Sequence, residues 1–320
     1  MVTKRSPIRS IGFFILIIFI VSFCIFPFFQ MLSTSLKYQW DWGNPSLIPT
    51  QINTEAYKEL LNVGQNLKNV PESILELLEN TPDMTKAQRD TILAKYRNSG
   101  DVFPFPKYFL NSLALSGVAA LLSVFIAILG AYSFSRLRFT GRSTVQRGVL
   151  FVYMFGGILL LIPLYKVCVS LGFLSTKGGT FGALLVIYMV QTLPVSLYML
   201  GNFFRTIPFS IEEAAMIEGS SRLGTIWRII IPLSISAIIT VYIYSFMIAW
   251  NEYLFASVFL KGYKDLYTLP MGLRALFVSK NAVWDRIMAA SVLTATPVIA
   301  LFMIIQKNLT GGLSEGGVKG

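Results

Sequence analysis

Histidine is absent from all 320 residues, which removes the side chain that most often moves protons near neutral pH and most often ligates metals. Charge is scarce too. Asp, Glu, Lys and Arg make up 13% of the chain against 54% hydrophobic residues, too few to coat a soluble globule of this size. Cysteine is limited to Cys24 and Cys168, each beside or within an apolar run and far from the other. Both read as small buried hydrophobes rather than as a disulfide or a zinc pair. There is no G-x-x-x-x-G-K-[ST] stretch, no H-E-x-x-H and no G-x-S-x-G, so the chain neither cradles nucleotide phosphates in the P-loop manner nor displays a hydrolase nucleophile. Soluble enzymes, secreted disulfide scaffolds and disordered tails are excluded. The net charge of +11 fits lipid headgroups rather than nucleic acid once the chain is read as a membrane protein.

What is present is apolar length. Six segments are long enough to cross a bilayer, near 11–32, 109–134, 148–169, 181–203, 231–257 and 287–305. Spans in lipid must be helical because hydrocarbon offers backbone groups no partners. The first follows Lys4, Arg5 and Arg9 but is longer than a signal-peptide core and lacks a small-x-small cleavage site, so it reads as a retained anchor. Six spans put both termini on one side. The short loops of that side carry twelve basic residues, including the acid-free group Arg136, Arg138, Arg142 and Arg147, against seven on the other; both termini are therefore expected in the cytoplasm. Ionisable residues are rare in the span centres, which weakens a proton-driven carrier.

The pattern divides the chain into a cytoplasmic N-terminus and first span (1–36), an extracytoplasmic helical loop or cap (37–107), a five-helix core (108–306) and a cytoplasmic tail (307–320). In the cap, residues 54–62, 71–79 and 85–97 carry apolar side chains such as Ile74, Leu75 and Leu78 at helical spacing, and Pro71 suits a first turn. Eight basic and nine acidic residues there nearly cancel. The cap either docks a partner or simply covers the helix ends.

The loop 205–230 is the most informative. Pro208 ends what precedes it. Ser210 and Glu213 form a capping-box pattern, so a short helix is expected from Ser210, with Ile211, Ala214 and Ala215 on one side. Gly219 interrupts it, and Ser220 or Ser221 caps a second helix in which Leu223, Ile226, Trp227 and Ile230 form an apolar stripe. Such a bent helix pair either transfers force to a soluble partner or lies on the membrane surface.

The order Glu213-Ala214-Ala215, Gly219, Ile229 and Pro232 resembles the E-A-A…G…I-x-L-P signature of permease subunits of ATP-binding-cassette importers, with Ile231 in place of the usual Leu and Glu218 where Asp is common. The blocks LGAYSFSRLRFTGR (129–142), LIPLYKVCVSLGFLSTKGG (161–179), LPVSLYMLGNFFRTIPFSIEEAA (193–215), AWNEYLFA (249–256) and the tail QKNLTGGLSEGGVKG (306–320) resemble the sugar-importer branch, the tail most of all the smaller permease of maltose-type transporters. Most of the chain is covered; 37–107 is the least family-like part.

The resemblance implies an all-α membrane protein with six transmembrane helices, the type I importer permease fold and a small helical extracytoplasmic insert. It implies a non-catalytic subunit in the plasma (inner) membrane that forms half of a carbohydrate pathway. Its expected partners are a homologous second permease, two ATPase subunits that bind ATP and Mg, an extracytoplasmic solute-binding protein and membrane lipid, with no nucleic acid and no metal of its own. Glu213, Ala214, Ala215, Gly219, Ile229 and Pro232 would couple to the ATPase. Gly311, Gly317 and Lys319 in the tail would contact it, unless the tail is a disordered end. For the sugar path the candidates are Gln191, beside the helix-kinking Pro194, and Trp250, Asn251, Glu252 and Tyr253, although Trp and Tyr at a span end also form ordinary interfacial belts. The rival readings are a self-sufficient secondary carrier or channel for a polar solute and a membrane receptor or scaffold.

Overall fold

The computed structural model describes residues 7–61, 63, 78, 85, 88–89, 103–154, 157–278 and 284–315, with backbone alone in the helical positions 7–11, 152, 305 and 307–315. Among them there is no strand. The helices are α1 (Pro7–Ser35), α2 (Glu55–Leu60), α3 (Phe105–Arg136), α4 (Arg142–Met154), α5 (Gly157–Ser170), α6 (Lys177–Thr206), α7 (Phe209–Ile217), α8 (Arg222–Leu233), α9 (Ile235–Trp250), α10 (Leu254–Phe259), α11 (Leu269–Val278) and α12 (Trp284–Glu315). Four described helices, α1, α3, α6 and α12, are long and apolar enough to cross a bilayer. A fifth arises if α8 and α9, which meet at an 82° bend, count as one broken span. Helix α5 is apolar but has only 14 residues, and the segment expected as one span at 148–169 is divided between α4 and α5.

The chain forms two compact units. The first, residues 1–106 with 273–295, contains α1, whose apolar flanks from Phe13 to Phe29 are exposed to the surroundings. An aqueous surface does not tolerate a continuous apolar cylinder; lipid does. Cys24 lies on this exposed surface and Cys168 is half-buried, so the expected burial fails for Cys24, whose neighbours on α1 are exposed as well. After α1 the chain folds around two buried charges. Lys37 donates its ammonium to the carbonyls of Asn44 (2.8 Å) and Ser46 (2.6 Å). Asp41 accepts from Asn44 Nδ2 (3.0 Å), Thr50 N (3.0 Å) and Thr50 Oγ1 (3.1 Å). Further on, Asn53 Nδ2 donates to Asp285 (3.3 Å) and Glu59 pairs with Arg286. These bonds convert a polar loop into an ordered turn next to α2. In the expected cap helices, 71–79 and 85–97, only Leu78 (buried), Thr85, Gln88 and Arg89 are described; Ile74, Leu75 and Pro71 lie outside the described residues.

The second unit, residues 107–272 with 296–320, holds two apolar clusters. One gathers Leu115, Leu184, Tyr188, Phe255, Phe259 and Leu260. The other gathers Ala127, Ala131, Leu200, Phe204, Ile226 and Ile230, the alanines of α3 allowing close approach. Between them Ser196 of α6 meets Ser245 of α9 (2.8 Å) and Ser123 of α3 (3.3 Å), all buried. In hydrocarbon such hydroxyls have no water to turn to, so they clasp the three helices. At the start of α6, Thr176 caps the helix through Gly179 N (3.1 Å). A Cβ on Gly179 would sit 2.2 Å from the Phe173 carbonyl oxygen, so only glycine permits that approach. Lys177 and Asp265 form an ion pair of 2.6 Å, and Asn111 donates to the carbonyls of Asp265 (3.0 Å) and Tyr267 (3.1 Å), pinning the 264–267 turn.

The Thr50 backbone N–H beside Asp41, followed by the Asn44 amide, holds its carboxyl below the ordinary value of 3.8. The folded state thus favours the ionised form, and the resulting stability is complete above that value and lost as pH falls through the lowered one. Protection of the Thr50 amide from hydrogen exchange, corrected for intrinsic pH dependence, is expected to stay constant from neutral pH down to 3.8 and to collapse below it. Asp41→Ala should abolish it at neutral pH; unchanged protection in that variant contradicts the assignment.

Candidate coupling site

Helix α7 begins one residue earlier than the capping pattern implies, at Phe209, with Pro208 at the N-cap position and no side-chain cap. The expected Ser210–Glu213 box is not formed. Glu213 points outward, exposed, and its neighbour Glu212 turns inward and is fully buried. The reason is a partner that no local pattern contains. Arg136, the last residue of α3 and 10% exposed, pairs through Nε with Glu212 Oε1 at 2.6 Å. Its Nη2 donates to the carbonyls of Phe204 and Ile207, both at 2.7 Å. Both lie at the end of α6, where intrahelical donors run out; Phe204 O also accepts from the C-cap Ile207 N at 3.3 Å. Tyr132 Oη, one turn back on α3, donates to Glu212 Oε2 at 3.1 Å, and the guanidinium lies 5.8 Å from the centroid of the Phe209 ring. One planar cation therefore ties α3, the end of α6 and the start of α7 together.

The far end of α7 closes on Gly219, whose φ is +86°. Gly219 N donates to Met216 O (3.1 Å) and Ser220 N to Ala215 O (2.9 Å), the reciprocal pair of a Schellman cap, which needs a left-handed residue at that position. Ser221 then caps α8, its Oγ accepting from Gly224 N (3.1 Å), as expected. The expected stripe is only half realised: Ile226 and Ile230 are buried, Leu223 and Trp227 exposed. A π-helical turn spans Ile226–Ile230, and its extra residue per turn takes the i, i+3, i+4 positions off one face. Pro232 follows, lacking the N–H that would resume a regular ladder. Ile231, in the position usually held by Leu, packs against the second apolar cluster.

The outer face of this module carries Glu213, Ala214, Ile217, Glu218 and Gly219, all exposed, with Ile217 at 87%. Ala215 is buried and Ile229 half-buried. A rigid base and an exposed apolar tip flanked by carboxylates are what a helix needs to seat in a groove of another protein. A profile of the family described as "binding-protein-dependent transport system inner membrane component" matches residues 113–314, a stretch that includes the whole module. The chain belongs to that family.

Over 322 residues and all of both chains it is 39% identical to the inner membrane ABC transporter permease protein YcjP of Escherichia coli K12. It is 37% identical over 218 residues, 68% of this chain and 76% of the relative, to the trehalose/maltose transport system permease protein MalG of Thermococcus litoralis. Its backbone matches a chain of a bacterial ABC transporter involved in the import of the acidic polysaccharide alginate, with a TM-score of 0.71, 20% identity and coverage of 96% of this chain and 98% of that one. The chain thus has the ABC importer permease fold, and the permeases of this family are not themselves ATPases.

Of the residues expected along a pathway, Gln191 is half-buried on α6, three residues before Pro194 within the same helix. A Cβ added to Gly157 would lie 3.3 Å from its Nε2. Trp250 is buried between Phe109 (rings 5.7 Å apart, edge to face) and Phe246 (5.3 Å, stacked). Asn251 is exposed, its Nδ2 donating to Met247 O at 2.8 Å. Glu252 accepts from Phe255 N (2.7 Å) and Ala256 N (3.1 Å) at the start of α10, and Tyr253 is packed at the edge of the first apolar cluster. In the tail Gly311 lies within α12; Gly317 and Lys319 lie outside the described residues. Sequence reasoning missed Arg136 and Glu212 as site residues. The only local signal was the Glu-Glu doublet, of which a helix can turn one member inward.

Removing one partner of a buried pair leaves the other charge stranded, at about 3–5 kcal/mol. Glu212→Ala is expected to lower the thermal stability of the purified protein by that order. Glu213→Ala, on the outer face, should stay within about 0.5 kcal/mol of the parent. Equal effects of the two substitutions in a thermal melt contradict the inward and outward assignment.

Proposed function

We propose that the chain is the permease subunit of an ATP-driven carbohydrate importer, forming half of a translocation pathway with a homologous second permease. Two cytoplasmic ATPase subunits bind ATP and Mg, and an external solute-binding protein delivers an oligosaccharide or related sugar. The observation that carries this reading is the exposed α7 tip on a base locked by the Arg136–Glu212 pair. The sugar class is supported by the trehalose/maltose transport named for one relative and the alginate import named for the fold neighbour.

On this reading α4 and α5 together make one interrupted span and α8 with α9 a bent one, giving six, with both termini and α7 on the cytoplasmic side. Residues 37–107 are then external. Glu213, Ala214, Ala215 and Gly219 seat in the ATPase groove. Ile229 and Pro232 shape the return into α9, and the tail with Gly311, Gly317 and Lys319 reaches the ATPase interface. Closure of the ATPase pair brings two such helices together, and a packed base passes the displacement on as rigid-body motion. Gln191 and Asn251 are the pathway candidates whose polar groups remain half-buried or exposed. Trp250, Glu252 and Tyr253 shape that region through packing and capping.

Gly219 separates coupling from folding. A Cβ there meets nothing within 4 Å, so the strain is the backbone cost of a left-handed L-residue, about 1–2 kcal/mol. Gly219→Ala and Gly219→Leu carry the same strain and differ in bulk. Both variants should reach the membrane, Ala retaining part of the ATP-driven uptake and Leu losing it. Wild-type uptake by the Leu variant contradicts the docking role.

A further inference from the structure

The turn between α3 and α4 carries a second concentration of charge beside α7. With Phe209 of α7 and Arg222 at the start of α8, residues 135–139 and Arg142 wall an open cleft of about 740 Å³. Four of its lining side chains are arginines, Arg136, Arg138, Arg142 and Arg222, and none of the lining residues is acidic. Arg136 is committed to Glu212 and two carbonyls. Arg142 spends one nitrogen on the Leu137 carbonyl at 3.2 Å. Arg138 and Arg222 have no carboxylate partner among the described residues. Concentrating cations this way is unfavourable unless an anion joins them.

The donor set selects the anion. Guanidinium forks match pairs of phosphate oxygens. Helix α4 starts at Arg142 with no acidic residue in its first turn, so its dipole adds partial positive charge at the same place. The position selects the source. The cleft sits where the long apolar helix α3 ends and α4 begins, the depth at which headgroups meet the ends of spans. Its aromatic members Phe139 and Phe209 remain 43% and 46% exposed. A free phosphate has no use for aromatic walls, whereas the glycerol and upper acyl carbons of a lipid do.

We propose that this cleft binds the phosphate headgroup of an anionic phospholipid, seated against the first residue of the coupling helix. The site follows from the membrane setting of the chain and is independent of the cargo. A bound headgroup contacts Phe209 directly and screens the charge that Arg136 feels, so the lipid becomes part of the base on which α7 stands.

The test reconstitutes the full complex in mixed phosphatidylglycerol and phosphatidylcholine, washes it with mild detergent and counts retained lipids by native mass spectrometry. The wild type is expected to retain phosphatidylglycerol over phosphatidylcholine. Arg138→Gln with Arg222→Gln should weaken that retention about 30-fold, at roughly fivefold per arginine near a headgroup, while the ATPase still co-purifies. The corresponding Lys pair should restore most of it. Lack of headgroup preference in the wild type, or equal retention in the Gln pair, overturns the site. Tight binding of inorganic phosphate that phosphatidylglycerol does not displace assigns the cleft to a free anion and overturns the lipid. Loss of the ATPase from the Gln pair with lipid retention intact assigns these arginines to a protein interface and overturns it as well.

Discussion

The Arg136–Glu212 ion pair is the constraint on which the arrangement of α3, α6 and α7 at this end of the chain depends. Two charges taken out of water are costly, and their mutual attraction compensates only when the remaining hydrogen-bonding capacity is filled. Here Tyr132 donates to the second carboxylate oxygen, and Arg136 Nη2 donates to the carbonyls of Phe204 and Ile207. The gain is in specificity of placement. A short helix such as α7 is marginal alone, and the pair gives it one seat against α3 and α6.

The rest of the module elaborates that seat. The Schellman cap at Gly219 turns the chain back sharply, Ser221 restarts it, and the break at Ser234 redirects it through 82° into α9. From α9 the Ser245–Ser196–Ser123 contacts lead back to α6 and α3. A displacement at the exposed tip therefore meets a closed circuit of helices rather than a flexible loop. Packed elements of this sort move as bodies or not at all, which is the mechanical property a transport cycle driven from outside the chain requires.

Much of this is legible in the sequence because hydropathy and short-range signatures carry it. The apolar segments at 11–32, 109–134, 181–203 and 287–305 each lie within a single helix, and the E-A-A…G…I-x-L-P spacing marks the candidate coupling residues. What is not legible depends on distant partners or on axis direction. Apolar length at 231–257 says nothing of a bend, so one run covers the end of α8, all of α9 and part of α10. Glu212 and Glu213 are adjacent on a helix, and only the arrival of Arg136 from 76 positions away decides which turns inward. Arg136 itself reads as surface charge until that partner is known. The Lys37 and Asp41 turn escapes notice because many of its bonds run to backbone groups, which leave no pattern in residue types.

The most direct test of the account is the number of solute molecules moved per ATP hydrolysed by the reconstituted complex carrying Glu212→Gln. That change keeps the shape of the side chain and removes the charge that Arg136 holds. With the ATPase still bound and still hydrolysing ATP, the account predicts a sharp fall in solute moved per ATP. A ratio equal to that of the wild type would contradict it, because α7 would then transmit force without its anchor.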